Sequence, residues 1–206
     1  MKKILLAAAI AGAFVAAPAS AQWYVGAGIG AARAKLGQSS ASAGGVTVTA
    51  QGDDDYNTSG KVFGGYQFTP NWGVEGQYVY LGKTNVNVTS NFPVTGSGSY
   101  QSESWGLAAT GTLPLPNNFF LMGKLGAAFN RVDNINGCAS GAGTTVCLTG
   151  NNQHKTDLLA GVGGGYNFNA HWGIRLEYEN FGKMTKSGNG TDIKGENWAV
   201  NVKYAF

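Results

Sequence analysis

Seven charged residues, Lys61, Glu75, Lys124, Arg175, Glu177, Glu179 and Lys203, share one parity of segments that alternate large apolar side chains with small or polar ones. Charges of both signs on a single strand face allow two kinds of chemistry. They can pair inside an enclosed interior, where an isolated ion is costly, or they can exchange partners and gate an ion path. Counted from the expected periplasmic end of each strand, Glu75, Arg175 and Lys203 lie three residues up, Lys124 and Glu177 five, and Lys61 and Glu179 seven. Signs nearly balance at each level, which predicts a stacked salt-bridge network. A permanent plug is favoured over a gate, because a lumen of eight strands is normally filled by side chains.

Other reactive groups are sparse. Cys138 and Cys147 have eight residues between them. In an oxidising compartment a disulfide there would close a loop worth ~3 kcal/mol, and a catalytic or metal-binding thiol is the weaker reading. Asp53-Asp54-Asp55 could hold a divalent cation, but a solvated acidic run is the simpler account. His154 and Asp157 stand near a loop boundary, His171 is expected in a periplasmic turn on the opposite rim, and no Gly-x-Ser-x-Gly elbow is present, so an enzyme acting on lipid is the least favoured class. Gly26-x-Gly28-x-x-Ala31 imitates a dinucleotide fingerprint without the strand-to-helix turn which that motif needs. No cofactor or metal site is expected.

The elements that position these residues are strands. Glycine is abundant, with 33 residues, aromatic residues make up 12%, and helix-type periodicity is lacking. Met1-Lys2-Lys3, an apolar run from Ile4 to Ala17 and Pro18-Ala19-Ser20-Ala21 read as a cleavable signal peptide over 1–21. The expected mature domain is 22–206. Removing Lys2 and Lys3 from 14 basic residues leaves 12 against 11 acidic ones, so nucleic acid is not an expected partner. No apolar stretch reaches the roughly 18 to 20 residues of a membrane helix.

Eight period-2 segments are expected at 22–33, 58–68, 72–82, 101–113, 119–130, 155–168, 172–183 and 196–206. Connections alternate between short turns and the long Gly/Ser/Thr/Asn-rich stretches 34–57, 83–100, 131–154 and 184–195, which read as solvated loops. The stretch from Gly64 to Gly73 recurs at an offset of 100 as Gly164 to Gly173, and the likeness continues to Gly82-Lys83 and Gly182-Lys183.

The contents of the two faces decide between a soluble and a membrane barrel. Trp198, Val200, Val202, Tyr204 and Phe206 oppose Asn197, Ala199, Asn201, Lys203 and Ala205; Trp172, Ile174, Leu176 and Tyr178 oppose Gly173, Arg175, Glu177 and Glu179. Glycine with a few charges suits a crowded lumen, so the apolar face must meet lipid. Trp23, Phe68, Trp72, Phe119, Phe168, Trp172, Tyr204 and Phe206 gather beside the short turns as an interfacial aromatic girdle. The expected fold is all-β: an eight-stranded antiparallel up-and-down transmembrane barrel with short turns in the periplasm and long loops outside.

Trp23-Tyr24-Val25-Gly26-Ala27-Gly28-Ile29-Gly30, Gly64-Gly65-Tyr66-Gln67-Phe68, Leu121-Met122-Gly123-Lys124-Leu125-Gly126 and the final Lys203-Tyr204-Ala205-Phe206 resemble the OmpA-like outer-membrane β-barrel domain family over nearly the whole mature sequence. The resemblance implies an outer-membrane location. It also implies that the last strand, Trp198, Val200, Val202, Tyr204 and Phe206, is read by the barrel assembly machinery, by strand addition. The sequence departs from full-length members in having no peptidoglycan-binding domain after Phe206, so no cell-wall tether is expected. The expected role is structural or surface-interacting, with membrane lipid, lipopolysaccharide and host or phage molecules as partners of the loops. The alternative is a narrow, low-conductance channel.

Overall fold

The computed structural model describes residues 22–36, 39–43, 46–52, 56–90, 95–141, 144–149, 152–185 and 193–206. The expected signal peptide and Asp53-Asp54-Asp55 lie outside the described residues. Eight strands close into a barrel: β1 (Gln22–Leu36), β4 (Asn57–Gln67), β5 (Trp72–Ser90), β6 (Thr95–Pro114), β7 (Phe119–Gly141), β9 (Gln153–Asn167), β10 (Trp172–Lys183) and β11 (Ile193–Ala205). Each pairs antiparallel with its sequence neighbour in that series, and β11 returns to β1. Closure matters because an open edge in hydrocarbon would leave a row of backbone N–H and C=O groups unpaired.

The seam runs from Tyr24 opposite Ala205 to Leu36 opposite Ile193. At its inner end the Phe206 N–H donates to the Trp23 carbonyl at 3.0 Å, and Gln22 Nε2 donates to the Phe206 carbonyl at 2.7 Å.

The ladders run further than the alternation suggested. β5, β6 and β7 extend through much of the stretches expected to be loops, and three additional strands, β2 (Ser39–Ala43), β3 (Val46–Gly52) and β8 (Thr144–Thr149), pair outside the ring. Thr, Asn, Ser and Gly tolerate a water-exposed ladder as well as a loop. Val86 and Val88 between Asn85, Asn87 and Thr89 keep a period of two, so the pattern that marks strands continues past the membrane.

The repeat at an offset of 100 is one turn and one bulge used twice. Thr69 Oγ1 accepts from the Trp72 N–H at 3.0 Å and Asn169 Oδ1 from the Trp172 N–H at 2.8 Å, while Phe68 and Phe168 donate to the Trp72 and Trp172 carbonyls at the same 2.9 Å. Ten residues on, Gly82 (φ +87°) and Gly182 (φ +64°) lie where β5 and β10 slip register. That left-handed backbone suits glycine. The strands carrying these bulges stand four places apart in the ring of eight, on opposite walls. The third short turn reaches the same end differently, with Asn117 (φ 59°) and Asn118 (φ 62°) both left-handed, a conformation asparagine tolerates.

Candidate functional site in the barrel lumen

Exposure alternates along most of the barrel wall where side chains are described, and the outward residues are large and apolar: Ile29, Leu107, Leu125, Leu158 and Val162 are each more than half exposed. An apolar surface of that extent is stable only against lipid. It ends in two aromatic belts. Trp23, Tyr66 and Phe68, Phe119, Tyr166 and Phe168, and Trp172, Tyr204 and Phe206 form ring-to-ring chains at 4.9–5.5 Å beside the short turns, next to Trp72.

The other belt, absent from the sequence reading, comprises Trp105 against Tyr78 and Trp198 against Tyr178, each at 4.8 Å, with exposed Phe129 and Tyr80. Trp198 and Phe206 are eight positions apart on one strand. At ~3.3 Å per residue and a tilt of about 40°, the belts are about 20 Å apart, close to the height of an outer-membrane apolar band.

Inside, a register of large against small makes room for charge. Lys61 stands opposite Gly28, Glu75 opposite Gly65, Lys124 and Glu179 both opposite Gly161, Arg175 opposite Gly165, Glu177 opposite Gly163, and Lys203 opposite both Gly26 and Gly173. These glycines leave the space that their neighbours fill. A Cβ on Gly161 would come within 2.9 Å of Lys124 Cγ, and one on Gly28 would overlap the Val200 carbonyl oxygen.

Six of the seven charges meet in one buried cluster. Lys124 Nζ lies 2.7 Å from Glu75, 3.1 Å from Glu179 and 3.4 Å from Glu177. Lys61 pairs with Glu177 and, at 2.9 Å, with Glu179. Arg175 reaches Glu75 through Nη1 at 2.9 Å and Glu177 through Nε at 2.7 Å, and its guanidinium lies 3.7 Å over the Phe63 ring centre. Neutral groups complete the cluster: Tyr24 and Asn201 donate to Glu75 and Glu177 at 3.1 and 3.3 Å, and Lys124 donates to Gln77 at 3.2 Å. Lys203 stands apart, two cross-strand pairs nearer the mouth than Arg175, against the rings of Tyr24 and Phe120.

Sequence reasoning missed what lies above the ions. A polar layer, Ser59 to Asn197 at 2.6 Å and Ser104 to Asn130 at 2.7 Å, is followed by an apolar core of Val79, Leu81, Val132, Leu159, Phe181 and Met184, all buried. Such a core packs the outer half of the lumen with buried apolar side chains above the charge cluster.

The remaining candidates stay apart. His154 is exposed near the outer rim, while His171 caps an inner turn, its Nδ1 2.8 Å from the Ala205 carbonyl. Among the described residues no three His, Cys, Asp or Glu side chains group as a metal site. Cys138 and Cys147 face each other in the β7–β8 register; their side chains lie outside the described ones.

An antiparallel ring with a lipid-facing wall, belts at two heights and a packed, charge-compensated interior defines a small integral barrel of the bacterial outer membrane. The chain belongs to the family of the outer membrane protein beta-barrel domain, whose model matches residues 5–206. Its fold is similar to that of OprG from Pseudomonas aeruginosa, at 16% identity over 90% of this chain and 95% of that one with a TM-score of 0.56. It is also similar to Neisserial surface protein A, at 17% identity over 89% and 97% with a TM-score of 0.52. The attachment invasion locus protein Ail of Yersinia pestis, solved with the heparin analogue sucrose octasulfate, shares 19% identity over 90% and 99% with a TM-score of 0.50. No curated protein matches the sequence.

Proposed function

We propose that the protein is a non-conducting, non-enzymatic surface barrel whose outer hairpins do the binding, to lipopolysaccharide or to host or phage molecules. The observation that carries this reading is the doubly filled lumen, an ion cluster on the inner side and an apolar core on the outer side. A gate that rearranged only the ion pairs would still meet Leu81, Leu159 and Phe181. Purified protein in planar bilayers is therefore expected to give silent traces, and Lys124→Ala is expected to be equally silent. Stepwise conductance from the wild-type protein would instead establish the channel. Loss of cell-surface attachment on replacing the tips of the outer hairpins, with the barrel still assembled, is the matching positive test.

Two site proposals accompany this reading. The outward residues of β11, Trp198, Val200, Val202 and Tyr204, with Phe206 directly after it, mark the seam strand that assembly would have to read. Phe206→Ala is expected to lower the fraction of heat-modifiable, membrane-inserted protein several-fold while leaving expression unchanged; unaltered insertion would remove the assignment. Cys138 and Cys147, opposite each other in the ladder, are proposed to be disulfide-bonded in the exported protein. Thiol labelling of the unfolded protein is expected to require prior reduction.

A further inference from the structure

We propose that the inner vestibule of the barrel binds a small monovalent anion, of the size and charge of chloride, between Arg175 and Lys203. The six clustered charges cancel: each of Glu75, Glu177 and Glu179 is held by at least two of Lys61, Lys124 and Arg175. Lys203 is a fourth lumen cation, and it forms no ion pair among the described residues. Its ammonium stands 5.8 Å from the Tyr24 ring centre and 5.4 Å from that of Phe120. Ring faces orient a cation without neutralising it, so among the described residues Lys203 has no carboxylate in contact to balance its charge.

Beside Lys203 lies a cavity of about 90 Å³. Arg175 and Lys203 supply its charged walls, and Tyr24, Gln67, Thr110, Thr112 and Asn167 its neutral polar ones; among the described residues no carboxylate lines it. Arg175 is buried; its Nη1 and Nε lie 2.9 and 2.7 Å from Glu75 and Glu177, and neither Nε nor Nη2 makes a well-aligned hydrogen bond among the described residues. A buried guanidinium N–H without an acceptor is costly. One anion placed between the two cations would accept from that group and balance Lys203.

The volume suits chloride with a few waters and excludes bulky organic anions. Lys203 also lines the wider cavity at the mouth, with Gln22, Asn118 and Asn169, so the site opens towards the periplasm. The apolar core closes the other direction. Binding at this dead end is independent of what the outer hairpins recognise.

The ³⁵Cl line width of a sodium chloride solution reports the site directly in folded protein in zwitterionic detergent. The wild-type protein is expected to broaden the line, with bromide but not gluconate reversing it. Lys203→Arg is expected to keep the effect, and Lys203→Gln to weaken the affinity roughly tenfold or more by removing a charge-assisted contact. Heat-modifiable migration reports whether each variant is folded. Independently of any variant, wild-type crystals soaked in bromide are expected to show an anomalous peak between Arg175 and Lys203. Equal broadening in Lys203→Gln, broadening that gluconate also reverses, or bromide only at other places would each overturn the proposal.

Discussion

Glu177→Gln is expected to lower the unfolding free energy of the barrel in lipid vesicles by about 3–5 kcal/mol, the loss typical of breaking a buried ion network by removing one partner. Glu177 is the carboxylate that touches all three clustered cations, Lys61, Lys124 and Arg175. Without it three positive groups share two carboxylates among side chains that are almost wholly buried. Lys61→Met in the same chain is expected to recover a large part of the loss by restoring balance, whereas the more exposed contact of Arg131 with Glu103, 3.7 Å apart at the outer side of the barrel, should contribute little when broken. Equilibrium urea unfolding followed by tryptophan fluorescence measures both. An unchanged midpoint in Glu177→Gln would show that the cluster does not hold the barrel together.

Gly28→Leu and Gly60→Leu separate the two faces of the wall. A Cβ on Gly28 would collide with the Val200 carbonyl oxygen and with Asn201, and backbone in a closed ladder has nowhere to go. The added side chain would also take the space next to Lys61, its cross-strand partner. Overpacking of this kind is expected to cost on the order of 3 kcal/mol or more and to abolish heat-modifiable migration. At Gly60, facing outward, a Cβ would meet nothing within 4 Å. Gly60→Leu adds apolar surface towards lipid and is expected to assemble normally. If both variants behaved alike, the inside and outside of the wall would have been assigned wrongly.

The barrel is legible in the sequence because three signals agree: a period of two, alternating connection lengths, and a face of glycine and charge opposite a face of Val, Leu and Trp. The ends of the strands were not, since above the membrane the polar residues of an extended hairpin read like those of a loop. Individual ion pairs were not legible either. Strand tilt carries Lys124 across levels, to Glu75 at 2.7 Å and Glu179 at 3.1 Å, and leaves Lys203 behind near the mouth. The apolar core was visible in principle. Val79 and Leu81 share the parity of Glu75, and Phe181 that of Glu179, so the rule that places the charges inside places these inside too. They escaped notice because apolar residues in a membrane protein are readily assigned to lipid.

The bulges at Gly82 and Gly182 fix how deep the molecule rides in its membrane. At each the alternation breaks: on β5 Leu81 is the last inward residue of the lower register and Thr84 the first of the upper, and on β10 Phe181 is the last inward residue before the strand ends at Lys183, with Lys83 and Lys183 both exposed. Below the inversion, outward means hydrocarbon; above it, outward means water, and a lysine marks the change on two facing walls. A barrel marked on only one side could tilt or sink until its polar stretch was submerged. With both sides marked at matching positions, vertical slippage in either direction would draw charge into oil or grease into water, so the outer hairpins are presented at one constant height above the lipid.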